Sequence, residues 1–129
     1  MPSRLQEKRE TVDLRTAYRD AGCGQLNASW IEREVSVSGW VHRRRDLGGL
    51  FFVDLRDRTG ILQLSFGPEW SAQAVLDLVE KLNPEDVIRA TGIVCQRPDP
   101  NLEMFTGEVE LQVNTLERLA VSDPLPILV

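Results

Sequence analysis

Between Glu34 and Phe66 three runs of alternating apolar and polar residues follow one another, separated only by short glycine turns. Period-two alternation marks a strand with one buried face. In the first run, Glu34–Arg45, Val35, Val37, Gly39 and Val41 share one face; Ser36, Ser38, Trp40 and His42 share the other. The parity then fails. Arg43 and Arg45 would continue the apolar face, and three consecutive arginines cannot enter a core. The strand must leave the barrel, bulge or bend near His42. Asp46–Gly49 reads as a turn, with glycines free to take positive φ. In the second run, Leu50–Arg56, Phe51, Val53 and Leu55 face in. Leu50, Phe52 and Asp54 form the open face, which exposes Phe52. Asp57–Gly60 turns the chain. In the third run, Ile61–Phe66, Leu62, Leu64 and Phe66 point in; Ile61, Gln63 and Ser65 point out. Phe52 and Gln63 therefore share a face of adjacent strands.

The remainder completes a recognisable order. Residues 1–13 are polar and aperiodic, which predicts a mobile tail. Leu14–Ala21 has room for one or two helical turns before Gly22. Gly67–Pro68 opens a helix whose stripe is Trp70, Ala74, Val75, Leu78, Val79 and Leu82. Asn83–Pro84 ends it. Asp86–Arg97 is a fourth strand, followed by a rigid turn at Pro98–Asn101. In the fifth, Glu108–Leu116, Val109, Leu111 and Val113 point in; Glu108, Glu110 and Gln112 point out. Trp40 and Trp70 read as packing residues and Trp30 as a barrel cap. Three strands, a helix and two strands predict an all-β fold over 14–119. It is a five-stranded Greek-key OB-fold barrel with one α-helix between strands 3 and 4. Residues 120–129 are proline-broken and apolar, and read as the start of a linker.

Composition narrows the classes. The 129 residues suit one domain. No apolar run approaches the roughly 18 residues of a membrane span. The charged N-terminus lacks the apolar core of a secretory signal. Two cysteines and one histidine offer neither metal spacing nor a disulfide framework, so no metal is expected and a reducing cytoplasm fits. The net charge of −5 disfavours nucleic acid at first sight. Its distribution does not: Trp40–Arg58 holds five arginines against three aspartates. A basic stripe beside an outward aromatic suits phosphates and a stacked base on a sheet. On charge alone, a solvated face of salt-bridged strands fits equally well.

Several motifs carry a family likeness. Cys23–Leu26 reads CGQL, Gly39–Leu50 reads GWVHRRRDLGGL, Phe52–Gln63 reads FVDLRDRTGILQ, and Thr106–Glu110 reads TGEVE. From Gly22 onward the chain resembles the N-terminal anticodon-binding domain of bacterial-type aspartyl-tRNA synthetases. Lysyl and asparaginyl synthetases carry related domains, but the uninterrupted RRRDLGGL and the TGEVE run are more similar to the aspartyl branch.

The resemblance implies a partner, tRNA(Asp), and a set of contacts. Phe52 matches the aromatic that stacks on the middle anticodon base, a uracil. Gln63 matches the glutamine that hydrogen-bonds the same base, and its amide offers both a donor and an acceptor. Arg43 and Arg45 match arginines that contact the loop near its third base, while Arg44 is expected to point elsewhere. Glu110 matches a glutamate near the first base; a solvated strand glutamate is the equal alternative. Leu47 stands where histidine goes with acceptance of tRNA(Asn), and so leans toward tRNA(Asp) alone. The resemblance also implies a separate catalytic domain that uses ATP and Mg2+, in a homodimeric aspartate–tRNA ligase. No catalytic residue and no cofactor are expected in this chain, and the isolated domain is free to be a monomer. A free-standing OB-fold module binding single strands without sequence preference is the competing reading. It would call for several outward aromatics, where only Phe52 clearly faces out.

Overall fold

A computed structural model describes residues 18–98 and 106–121. A short strand β1 (Tyr18–Asp20) precedes five long ones: β2 (Glu34–Leu47), β3 (Leu50–Asp57), β4 (Gly60–Phe66), β5 (Val87–Gln96) and β6 (Val109–Ala120). Helix α1 (Gln73–Val79) lies between β4 and β5. The long strands close into a barrel. β2 pairs with β5 through its first half and with β3 through its second. β4 and β6 meet in parallel at Gln63–Ser65 and Glu110–Gln112. The inward residues expected from alternation fill the centre: Val35, Val41, Val53, Leu55, Leu62, Leu64, Phe66, Val109, Leu111 and Val113 are fully buried. The architecture is the expected OB-fold.

The arginine run is resolved by a bulge. Val41 pairs with Leu55, but Arg43 pairs with Asp54, so His42 is an extra residue in β2. One inserted residue reverses the parity of everything after it. Arg43 and Arg45 move to the outer face, and only Arg44 is left on the inner side. There it sits at the barrel mouth. Its Nη1 donates to the carbonyls of Val79 at 3.2 Å and Leu82 at 3.1 Å, and also to that of Glu80. A cation at a helix C-terminus satisfies orphan carbonyls and opposes the helix dipole. The bulge thus clamps α1 to the barrel and aims the flanking arginines the other way.

Several expectations need correction. The predicted helical turns before Gly22 are replaced at 18–20 by β1, which lies parallel to Glu34–Ser36. That edge of β2 would otherwise be open. Helix α1 starts later than Gly67–Pro68. Trp70 and Ser71 first close a turn on the Gly67 carbonyl. Ser71 Oγ then donates to the Val113 carbonyl at 2.6 Å, tying this segment to β6 before the helix begins. Ala74, placed in the apolar stripe, is exposed. Trp70 packs as expected, its Nε1 donating to the Ser65 carbonyl at 3.0 Å. Trp40 does not: it is 37% exposed on the outer face. The tail expected over 1–13, most of the 120–129 linker and residues 99–101 of the rigid turn lie outside the described residues.

Candidate nucleic-acid interface

Strand register lines up the chemistry. Arg43 pairs with Asp54, Asp54 with Gln63, Gln63 with Glu110, and Glu110 with Cys95. These five residues form one row across five strands on the outer face. Arg45 pairs with Phe52 in the next row. Cross-strand neighbours on one face stand close enough for their side chains to interact directly. The two-residue turn Gly48–Gly49 makes this possible. Its φ values of +59° and +93° are costly for residues with a Cβ and cheap for glycine. They hold β2 and β3 in register up to Leu47 and Leu50.

The side chains form a connected network. Arg45 lies against Phe52, its guanidinium carbon 5.6 Å from the ring centroid. Arg45 Nη2 donates to Gln63 Oε1 at 2.9 Å and pairs with Asp54 at 3.4 Å. Arg43 faces the same carboxylate at 3.8 Å, with its side chain mostly exposed. Gln63 Nε2 donates to Glu110 Oε1 at 2.8 Å. Cys95 Sγ lies 3.9 Å from Glu110 Oε2. Burial pushes the Cys95 thiol up to about 11, with help from the charge of Glu110, so it remains a weak S–H donor.

A cleft of about 240 Å³ opens over this network. Arg45, Leu47, Phe52, Gln63, Arg97, Pro98 and Glu110 line it. Pockets for drug-sized ligands start near roughly 300 Å³, so the cleft suits a single ring better than a whole nucleotide. Among the described residues, the buried Arg45 Nε and Arg97 Nε have no hydrogen-bond partner. The arrangement offers an aromatic edge, cations and an amide with spare hydrogen-bonding capacity.

Sequence reasoning placed these residues unevenly. Five of the six expected residues, Arg45, Leu47, Phe52, Gln63 and Glu110, line the cleft together. Arg43 lies beside it through Asp54. Gln63 and Glu110 were expected to be outward. They are on the outer face yet only 6% and 4% exposed, because each covers the other across the β4–β6 seam. Ser65, on the same face, is also buried. Phe52 is half-buried rather than exposed, with Arg45 against it. Sequence reasoning missed Asp54, Cys95, Arg97 and Pro98. Asp54 alone had a signal, since it alternates with Phe52. The others arrive through the β5–β6 pairing, which no local pattern announces.

Comparison with known proteins agrees with this fold. A family described as OB-fold nucleic acid binding domain, of the tRNA anticodon type, matches residues 35–119. The chain is 47% identical over 111 residues to an aspartate–tRNA(Asp/Asn) ligase of Thermodesulfovibrio yellowstonii. It is 44% identical over 111 residues to an aspartate–tRNA ligase of Streptomyces coelicolor. Each alignment covers 84% of the chain but 18% of the relative, so the chain spans under a fifth of their length. Among solved structures, an asparaginyl-tRNA synthetase from Pyrococcus horikoshii superposes with a TM-score of 0.71. That match has 24% identity and covers 84% of the chain and 24% of the synthetase. It speaks to the fold alone.

Proposed function

The chain belongs to the tRNA anticodon family of OB-fold nucleic-acid-binding domains, and from that premise we propose that it reads the anticodon loop of tRNA(Asp). The observation that carries this reading is the outer-face row Arg43–Asp54–Gln63–Glu110 with Phe52 beside it. Phe52 stacks on the middle uracil. Gln63 reads that base's edge. Its Oε1 has one lone pair beyond Arg45, and its Nε2 one hydrogen beyond Glu110, and a uracil edge needs one donor and one acceptor. Arg43 and Arg45 hold the loop near the third base. Leu47 closes the cleft on that side and favours tRNA(Asp) over tRNA(Asn). A relative named for both tRNAs leaves that last preference as the finest part of the proposal.

The domain, 14–119, recognises tRNA and catalyses nothing. The activity belongs to a longer cytoplasmic protein, an aspartate–tRNA ligase that joins L-aspartate to tRNA(Asp). ATP and Mg2+ serve a catalytic domain elsewhere, within a homodimer. Among the described residues no cluster of three His, Cys, Asp or Glu side chains could hold a metal ion. None of the described helices is long and apolar enough to cross a membrane.

The test is a titration of the 129-residue chain with anticodon stem-loops that differ only at the middle base. The uracil loop should bind best, and Phe52→Ala should weaken it. Indifference to the middle base, or unchanged binding by Phe52→Ala, would replace this reading with a sequence-blind single-strand module.

A further inference from the structure

The outer-face network does more than gather contacts: it assigns a direction to an amide. A glutamine side chain is nearly symmetric in shape, but turning it over exchanges its donor for its acceptor. Uracil and cytosine differ in just this way. Uracil offers the O4 acceptor beside the N3–H donor. Cytosine offers the N4–H donor beside the N3 acceptor. An amide that can turn over pairs with either base.

We infer that Arg45 and Glu110 are positioning residues that lock the Gln63 amide in one orientation, and that this lock separates uracil from cytosine over Phe52. The inference rests on the anticodon reading and concerns how its specificity arises. The locked orientation puts Oε1 against the Arg45 guanidinium at 2.9 Å and Nε2 against the Glu110 carboxylate at 2.8 Å. Turned over, the amide would aim a donor at a cation and an acceptor at an anion. Both contacts would then be repulsive, in a site where Gln63 and Glu110 are buried and poorly screened.

Each end of the lock is itself held. Asp54 pairs with Arg45 at 3.4 Å. The Cys95 thiol faces the second oxygen of Glu110 at 3.9 Å, and Cys95 is its register partner on β5. Glu110 therefore has both oxygens engaged and is only 4% exposed. That is the environment of a group that orients a neighbour, more than of one waiting for a base. Its single carboxylate suffices because Gln63 stands directly opposite it in the β4–β6 seam.

The test measures binding of stem-loops carrying uracil or cytosine at the middle position to the wild-type 129-residue chain and to Glu110→Gln. The substituted amide can pair with Gln63 in either orientation, so only Arg45 still opposes the turn. The uracil-over-cytosine ratio should fall about tenfold, the size of one lost charge-assisted hydrogen bond. A merely structural loss would weaken both loops alike and keep the ratio. If wild type prefers uracil and Glu110→Gln keeps the full ratio, the lock is wrong and the anticodon reading stands. If wild type ignores the middle base, the reading falls and the lock with it. A second measurement needs no RNA. In the free wild-type chain, NMR should show the Gln63 Nε2 proton that faces Glu110 exchanging slowly with solvent, and that protection should fall in Glu110→Gln. Fast exchange of both Gln63 amide protons in wild type would overturn the lock directly.

Discussion

The β3–β4 hairpin carries two opposite environments a few residues apart. At its turn, Asp57 Oδ1 accepts from Thr59 N at 2.8 Å, from Thr59 Oγ1 and from Gly60 N, while Oδ2 accepts from Cys23 N at 2.8 Å. Thr59 Oγ1 accepts in turn from Gly24 N. Gly24 and Gly60 meet face to face: a Cβ built on Gly60 would stand 2.9 Å from Gly24 Cα. Carboxylate, hydroxyl and glycine faces are all used by the chain itself. On the hairpin's outer face the reverse holds. Phe52 is half open, Gln63 keeps spare capacity, and Arg45 Nε lacks a partner among the described residues. Unmade hydrogen bonds near the surface cost stability unless a ligand completes them. Saturation marks the clasp as structural, while the half-open Phe52 with Arg45 against it marks the face as a candidate site.

Substitutions should separate the two regions by what they damage. The largest effect is expected for Gly24→Ala, whose Cβ would fall on the Thr59 carbonyl. Backbone cannot yield there as a side chain can, so urea unfolding should show a loss of about 3 kcal/mol. A loss within about 0.5 kcal/mol, the size of a neutral surface change, would mean that the clasp is slack and the contrast false. Phe52→Ala should do the converse. It should cost on the order of 1–3 kcal/mol in binding the uracil stem-loop, and less than that in stability. A stability loss as large as the binding loss would place Phe52 with the packing residues.

Much of this was legible in the sequence because alternation reports local facing. It put Phe52, Asp54 and Gln63 on one side, and it required an irregularity at His42. It could not report cover. Gln63 and Ser65 lie on the predicted face, yet β6 buries them, and that pairing joins residues some 46 positions apart. Arg97 and Cys95 were invisible for the same reason. Helix α1 was misplaced at its start because the deciding interaction, Ser71 to Val113, is also non-local. The arginine triplet was half legible. Parity showed that it could not all be buried, but only the end of α1 shows where Arg44 goes.

The clasp also carries a pH signature. Burial raises the Asp57 carboxyl, but hydrogen bonds from Thr59 and from Cys23 outweigh it and bring the group below its ordinary value. A depressed carboxylate contributes stability above its unfolded pKa of about 3.9 and loses it as pH falls through the folded value. Asp57→Asn should therefore be less stable than wild type at neutral pH. The gap should close under acid conditions below the ordinary carboxylate range. Thermal unfolding across that range checks it. A gap that persists in acid would mean that the carboxylate charge contributes nothing to the clasp.

The smallest effect concerns neighbouring arginines and asks whether the bulge sorts them by role. Arg43 is 64% exposed and meets Asp54 only at 3.8 Å, so its charge remains available to phosphate. Arg44 is 27% exposed, and its guanidinium is taken up by carbonyls at and just after the end of α1 and by Asp46 at 3.2 Å. Each phosphate contact on a single strand contributes a slope of about −0.7 to log K against log salt. Arg43→Ala should therefore flatten the salt dependence of stem-loop binding by up to about that amount, and should leave unfolding near wild type. Arg44→Ala should leave the slope unchanged and lower stability, since the Val79 carbonyl of α1 and those of Glu80 and Leu82 just after it lose their donor. Equal slopes for wild type and Arg43→Ala would remove Arg43 from the interface. A flattened slope for Arg44→Ala would show that the side chain leaves the helix when RNA arrives, and the sorting by the His42 bulge would then hold only in the free protein.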